Sequence, residues 1–77
     1  MFYAFATLTV IEKGLYAGET NAYRRAFRVD RIMSFWDNWI VVSEEGEFDG
    51  LRFRVKESFD EIREAILNSS VAPQFHI

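Results

Sequence analysis

Apolar and cationic residues alternate strictly over residues 51–56, in the stretch "LRFRVK". The apolar positions are Leu51, Phe53 and Val55, and the cationic positions are Arg52, Arg54 and Lys56. Side chains of a β-strand alternate between its two faces, so this period of two predicts a strand with an apolar inner face and a cationic outer face.

The period changes directly after that strand, where an amphipathic helix is predicted. Ser58 and Glu61 have the spacing of a capping box, in which each side chain accepts a hydrogen bond from the backbone of the other residue. The apolar stripe that would pack on a sheet consists of Phe59, Ile62, Ala65 and Ile66. Pro73 prevents the helix from resuming, and we interpret residues 71–77 as a tail outside the folded domain.

Residues 2–12 predict a first strand, because aromatic and β-branched residues dominate them. Both faces of this strand would carry apolar groups, which favours a central or doubly covered position in the sheet. Residues 13–22, "KGLYAGETNA", contain two glycines, a threonine and an asparagine. We interpret them as a loop or a wide hairpin connection.

Residues 20–34 fit two patterns. As a helix, the segment would place Arg24, Arg28 and Arg31 on one stripe. As a strand, it would place Phe27 and Val29 on one face, with a β-bulge near Asp30. The valine, isoleucine, phenylalanine and tryptophan content favours the strand.

The remaining pattern completes a small sheet. "DNW" at 37–39 predicts a tight turn, "WIVVS" a third strand and "EEGEFDG" an acidic loop. The predicted fold class is α+β, with an antiparallel β-meander of three to four strands and one C-terminal helix packed on one face. A single domain would span residues 1–70, followed by the tail 71–77.

Composition adds an expectation of self-association. The chain has 77 residues, of which 49% are hydrophobic and 17% aromatic, and it has no cysteine. So short a chain buries only a modest core and must expose much of this apolar surface. We therefore expect a homo-oligomer in which a second subunit covers part of it.

The charge balance limits the class of partner. The net charge of −3 argues against long nucleic acids and acidic membranes, which attract basic domains. The apolar start "MFYAFATLTVI" lacks the basic residues of a signal peptide and is too short to cross a bilayer. We expect a cytoplasmic protein.

The chain also resembles a known group of proteins. The stretch "FRVDRIMSFWDNWIVVSEEGEFDGLRFRVKESFDEIREAI" is similar to the FlbD-type small proteins and to many short bacteriophage proteins. Their shared layout corresponds here to Leu8–Thr9, to Val29–Asp30–Arg31–Ile32 and to Val55–Lys56–Glu57–Ser58. The resemblance covers most of residues 5–67, and this chain departs from it in residues 13–25, in its arginine cluster and in its tail. It implies a small non-enzymatic accessory or regulatory protein, in the host cytoplasm if phage-encoded.

The sequence offers little for catalysis, so we predict neither an enzyme nor a cofactor. His76 is the single histidine and lies beyond Pro73, where it is more typical of a solvated tail than of a positioned base. The carboxylates of the acidic loop lack the ligand spacing of a calcium site. No metal site is predicted.

The candidate binding residues are cationic and aromatic. They are Tyr23, Arg24, Arg25, Arg28, Arg31, Trp36, Trp39, Arg52 and Arg54. Arginine, tryptophan and tyrosine are enriched at protein–protein interfaces, and arginine with aromatic rings can also hold phosphates and stack bases.

Two functions follow from this set. The first is a phage-type or accessory regulator that binds a bacterial host protein and inhibits or modulates it. The second is an oligomeric sponge that sequesters a small anionic nucleotide between subunits, with arginines on the phosphates and Tyr23 or Trp36 on the base.

Overall fold

The computed structural model describes residues 2–43 and 50–73 and contains six β-strands, one α-helix and one 3-10 turn. The strands are β1 (Phe2–Lys13), β2 (Thr20–Arg28), β3 (Ile32–Trp36), β4 (Trp39–Val42), β5 (Leu51–Arg54) and β6 (Ser70–Pro73). The helix α1 is Phe59–Leu67, and the 3-10 turn is Val29–Arg31. Residues 44–49 of the predicted acidic loop, and His76, lie outside the described residues.

The strands form two antiparallel sheets of three, in the orders β2-β1-β6 and β3-β4-β5. The α+β class is therefore confirmed, with six strands where the sequence predicted three or four. The segments predicted as one meander are divided between the two sheets: β1 lies in the first sheet, and β3, β4 and β5 form an antiparallel meander in the second. An isolated bridge between Val10 and Val55 connects the two sheets.

The core lies where the sheets and the helix meet. Its buried side chains are Leu8, Val10, Phe27, Ile40, Val42, Val55 and Ile62. In β1 the even-numbered residues Ala6, Leu8 and Val10 point inward, as the period of two requires. Removing this apolar surface from water is the main stabilising contribution to a fold that contains no disulfide.

The helix begins as its sequence predicts. The Ser58 hydroxyl accepts from the Glu61 N–H at 3.3 Å, and the Glu61 carboxylate accepts from the Ser58 N–H at 3.1 Å, which confirms the capping box. The sequence did not predict that Asp37 also accepts from the Phe59 N–H, at 2.6 Å. The turn between β3 and β4 thus helps to cap the helix.

Residues 20–28 and 32–34 are extended, as the composition of this segment favours, but the interruption between them differs from the predicted one. The 3-10 turn at Val29–Arg31 stands where a bulge near Asp30 was expected, and the register shift falls later, between Ile32 and Ser34. This turn connects β2 of the first sheet to β3 of the second, whereas a bulge would have kept both segments in one sheet.

The end of the domain also needs correction. Ser70–Pro73 forms β6 and pairs with Phe2–Phe5 of β1, so the sheet continues beyond residue 70. Pro73 is tolerated there because it lies at the end of an edge strand, where a missing N–H costs little.

A long hairpin projects from the core. The register of β1 and β2 runs to Lys13 and Thr20, so the connection is only residues 14–19. We call residues 11–22 the arm; none of them is buried. The molecule is elongated, with extents of 43 × 27 × 27 Å.

Within the described residues, no helix combines the length and the apolar character needed to cross a bilayer.

Candidate interaction surface

The two tryptophans lie side by side on the outer face of the second sheet. Trp36 and Trp39 pair across the β3–β4 hairpin, whose turn is Asp37–Asn38. The turn is feasible because Asn38 adopts a φ of 65°, a left-handed conformation that asparagine tolerates. Trp39 in turn pairs with Arg54 of β5, which continues this row across the sheet.

Arg52 completes a cleft with these rings. Its guanidinium lies 5.6 Å from the Trp39 ring centre and 6.0 Å from that of Trp36. The three side chains line a shallow cleft of about 130 Å³. Trp36 remains 49% exposed and Trp39 38% exposed, so a large apolar area of both rings stays in contact with water.

An apolar margin extends this surface. Val41 lies between Ser34 and Arg52 in the next cross-strand row, and Met33, beside it near Gly50, is exposed. We call the outer surface formed by Met33, Trp36, Trp39, Val41, Arg52 and Arg54 the tryptophan face. Within residues 2–43 and 50–73, no carboxylate lies within ion-pair distance of Arg52 or Arg54.

A second group of predicted residues gathers elsewhere, at the end of β2. Arg25, Arg28 and Arg31 line a cavity of about 250 Å³ together with Phe5 and Phe27. Arg25 stacks on Phe53, at 4.6 Å from the ring centre, and on Phe27, at 5.2 Å. The guanidinium therefore lies over the edge of the core rather than in open solvent.

Arg28 is committed to contacts within the chain. It donates two hydrogen bonds to Asp30, at 3.1 and 2.7 Å, and its guanidinium lies 3.7 Å from the ring centre of Tyr3. The hydrogen bonds from Arg28 hold the pKa of Asp30 below its ordinary value, and they raise the pKa of Arg28.

The predicted set therefore divides into two groups, and two members belong to neither. Arg24 and Arg25 are neighbours in a strand, so their side chains point to opposite faces, and Arg24 is exposed on the outer face. The Tyr23 hydroxyl donates to Glu12 at 2.9 Å across the arm. The cleft lined by Trp36 and Trp39 is thus separate from the cavity lined by Arg25, Arg28 and Arg31.

A groove of about 580 Å³ with an acidic lining lies between β1 and α1. Two of its carboxylates have structural roles: Glu57 accepts from the Thr9 N–H at 2.9 Å, and Glu61 belongs to the capping box. Asp60 and Glu64 flank them on the helix surface. The carboxylates of Glu57 and Glu61 in the groove are therefore explained by the capping of the helix and its attachment to β1.

Sequence reasoning missed two highly exposed apolar residues among those that the structure describes. Leu15 is 95% exposed and Tyr16 is 76% exposed, and both lie at the tip of the arm. The signal was present in "KGLYAGE", where a leucine and a tyrosine interrupt a glycine-containing turn that would ordinarily be polar.

In the part of the chain that the structure describes, no group of three or more histidine, cysteine, aspartate or glutamate side chains could hold a metal ion. Comparisons of the chain with protein families, with curated proteins and with solved structures found no match.

Proposed function

We propose that this chain is a small non-enzymatic accessory protein, of the phage-type regulatory kind, that binds a bacterial protein and inhibits or modulates it. The observation that carries the proposal is the tryptophan face: two indoles and a guanidinium form an open cleft on a rigid hairpin. The protein would act in the cytoplasm, which is the host cytoplasm if a phage encodes it.

The chemistry of the tryptophan face favours a protein partner. Tryptophan and arginine dominate the energetics of protein interfaces, and each aromatic side chain there buries roughly 150–250 Å². Two adjacent tryptophans and an arginine without a carboxylate partner among the described residues make a compact anchor. The resemblance to FlbD-type and short phage proteins supports the same accessory role.

The rigid support of the tryptophan face also fits a binding role. Asn38, beside both tryptophans, donates from its side chain to the carbonyls of Lys56 and Glu57, at 3.0 and 3.1 Å. Its backbone oxygen accepts from the Val55 N–H at 2.9 Å. A turn held by these bonds presents Trp36 and Trp39 in a fixed arrangement, which lowers the entropy cost of binding.

The test is a comparative capture from bacterial lysate on the immobilised protein. We expect a specific protein to be retained by the wild type and lost with Trp36→Ala and with Arg52→Ala. Leu67→Ala is the matched control, because Leu67 is also an exposed apolar residue but lies on the helix. Retention of the same proteins by all four would refute the proposal.

The nucleotide sponge stands as a second candidate because Arg25, Arg28 and Arg31 line one cavity. Arginine forks suit phosphates, and aromatic side chains lie beside them. In this proposal a second subunit would enlarge a cavity of about 250 Å³, which lies below the usual size of ligand sites. Calorimetric titration with mono- and cyclic nucleotides tests this proposal. The absence of binding heat at millimolar nucleotide would refute it, and so would binding heat that is unchanged in Arg31→Ala.

A further inference from the structure

The arm is an exposed element without a packing partner among the described residues. Its tip residues Leu15 and Tyr16 point apolar surface into water, and the small cavity at the tip is lined by residues 13–20 alone. A two-stranded hairpin outside a core is only marginally stable in water. Large apolar side chains at the end of such a hairpin are typical of an element that docks elsewhere.

The same chain contains an open aromatic cleft that an apolar side chain could fill. The cleft of the tryptophan face is lined only by Trp36, Trp39 and Arg52 among the described residues. The chain thus has both a projecting apolar tip and an unfilled aromatic cleft.

Charge complements the apolar match. Glu19 lies at the tip and packs over Gly14, and no cation among the described residues pairs with it. Arg52 and Arg54 on the tryptophan face likewise have no carboxylate partner within residues 2–43 and 50–73. Docking the tip on the face would bring Glu19 towards these arginines, and an ion pair shielded from water by the indoles is stronger than an exposed one.

From these observations we infer that the arm of one copy docks on the tryptophan face of a second copy. Leu15 and Tyr16 fill the cleft between the indoles and Arg52, and Glu19 pairs with an arginine of the partner. Because each copy has one arm and one face, two copies related by a two-fold axis make the contact twice. Each cleft is then completed by the other copy.

This inference uses the same surface as the proposed function, so a second copy and a foreign partner would compete for it. Self-docking would cover the tryptophan face until a partner of higher affinity displaces the arm. The two ideas remain separable, because capture of a partner depends on Trp36 and Arg52 and not on the arm.

The first experiment measures mass and tryptophan fluorescence together. Trp36 and Trp39 are the two tryptophans of the chain, so emission excited selectively from tryptophan reports on the tryptophan face. We expect a dimer whose emission shifts to longer wavelength on dilution. Leu15→Ser/Tyr16→Ser should weaken dimerisation by about tenfold or more and red-shift the emission at once, as loss of an interface anchor does.

The second experiment mixes two variants that each keep one half of the contact. Leu15→Ser/Tyr16→Ser keeps the face, and Trp36→Ser/Trp39→Ser keeps the arm but has no tryptophan fluorescence. In the mixture only the first variant contributes tryptophan emission, and we expect this emission to shift to shorter wavelength as the arm of the second variant binds. Circular dichroism melts of both variants verify that they fold.

The outcomes are decisive. A dimer that is lost in both variants and partly restored on mixing supports the inference. Three results would overturn the inference: a wild-type protein that is monomeric at all accessible concentrations, a dimer that persists in Leu15→Ser/Tyr16→Ser, or an emission that is unchanged on mixing. In each case another segment, or no segment, covers the tryptophan face. Capture of a partner by the arm variant, through Trp36 and Arg52, would leave the proposed function standing.

Discussion

At the scale of single residues, two side chains join elements that are distant in the sequence. The Asn38 side chain and backbone bind residues 55–57, so the β3–β4 turn is fixed to the segment that leads into the helix. Glu57 accepts a hydrogen bond from the Thr9 N–H. Thr9 lies on β1 beyond Phe2–Phe5, the segment that pairs with β6. A carboxylate there replaces the backbone partner that a further strand residue would have supplied, which avoids the cost of an unpaired amide.

Two glycines with positive φ give a matched pair of substitutions. Gly18 has a φ of 79° and open space around a Cβ, whereas Gly50 has a φ of 75° and a Cβ would lie 2.9 Å from the Val42 carbonyl oxygen. Gly18→Ala should cost only the backbone strain, about 1–2 kcal/mol. Gly50→Ala should cost roughly 1–3 kcal/mol more, because the added methyl also crowds β4. Urea unfolding of both variants checks the order, and equal losses would contradict it.

The ion pair of Arg28 and Asp30 predicts a pH dependence with a definite sign. The pKa of Asp30 is lowered in the folded protein, first by the hydrogen bonds from Arg28. Its stabilising contribution is therefore complete above the unfolded pKa, near 4, and is lost as the pH falls through the lower folded value. Carboxyl NMR titration should find Asp30 below its ordinary range in the wild type and near it in Arg28→Ala. An identical Asp30 titration in both proteins would disprove the role of Arg28.

At the scale of elements, the start of the helix can be tested directly. Ser58→Ala removes the acceptor for the Glu61 N–H and should destabilise the protein by about 1 kcal/mol. Ser58→Asp should be nearly neutral, because aspartate also caps and suits the positive end of the helix dipole. Thermal melts should place Ser58→Ala roughly 4–8 °C below wild type. A Ser58→Ala protein that melts like wild type would indicate that Asp37 suffices as the cap.

The attachment of the helix depends on one fully buried residue. Ile62 has no exposed surface and packs in the core cluster with Leu8 and Val55. Ile62→Ala should cost on the order of 2–5 kcal/mol, a large part of the stability of so small a domain. Leu67→Ala, on the same helix but 65% exposed, should stay within about 0.5 kcal/mol of wild type. Similar losses in the two variants would mean that the helix is docked differently.

Elements with a local cause could be predicted from the sequence, and elements with a distant cause could not. The capping box and the alternation of β5 depend on residues within a few positions of one another. β6 depends on pairing with Phe2–Phe5, and its own four residues give no comparable pattern. The predicted binding residues fall into two groups for a similar reason. Arg24 and Trp36 are close in the sequence, but long-range strand pairing decides on which sheet and on which face each side chain lies.

At the scale of the whole molecule, the core and the arm should differ in dynamics. Ala6, Leu8 and Val10 of β1 have buried side chains, whereas no side chain of the arm is buried. Local opening should therefore expose arm amides far more often than amides beside the core. The measurement uses the variant Leu15→Ser/Tyr16→Ser, in which docking of the arm is removed. In this variant, hydrogen exchange by NMR should show the amides of residues 12–21 exchanging roughly tenfold faster than those of residues 6–10. Uniform protection along β1 would contradict this division.

The pairing of β1 with β6 has a consequence for how the chain folds. β1 pairs with β2 through a short hairpin connection. Its other edge pairs with residues 70–73, at the far end of the described chain. Such distant contacts incur a larger loop-closure entropy before they stabilise anything, and they slow folding. During synthesis, β1, β2 and the second sheet can form while the edge at Phe2–Phe5 is still unpaired. We therefore expect the nascent chain to be most prone to aggregation in the interval before β6 leaves the ribosome, and the closing of that edge to be the last step of folding.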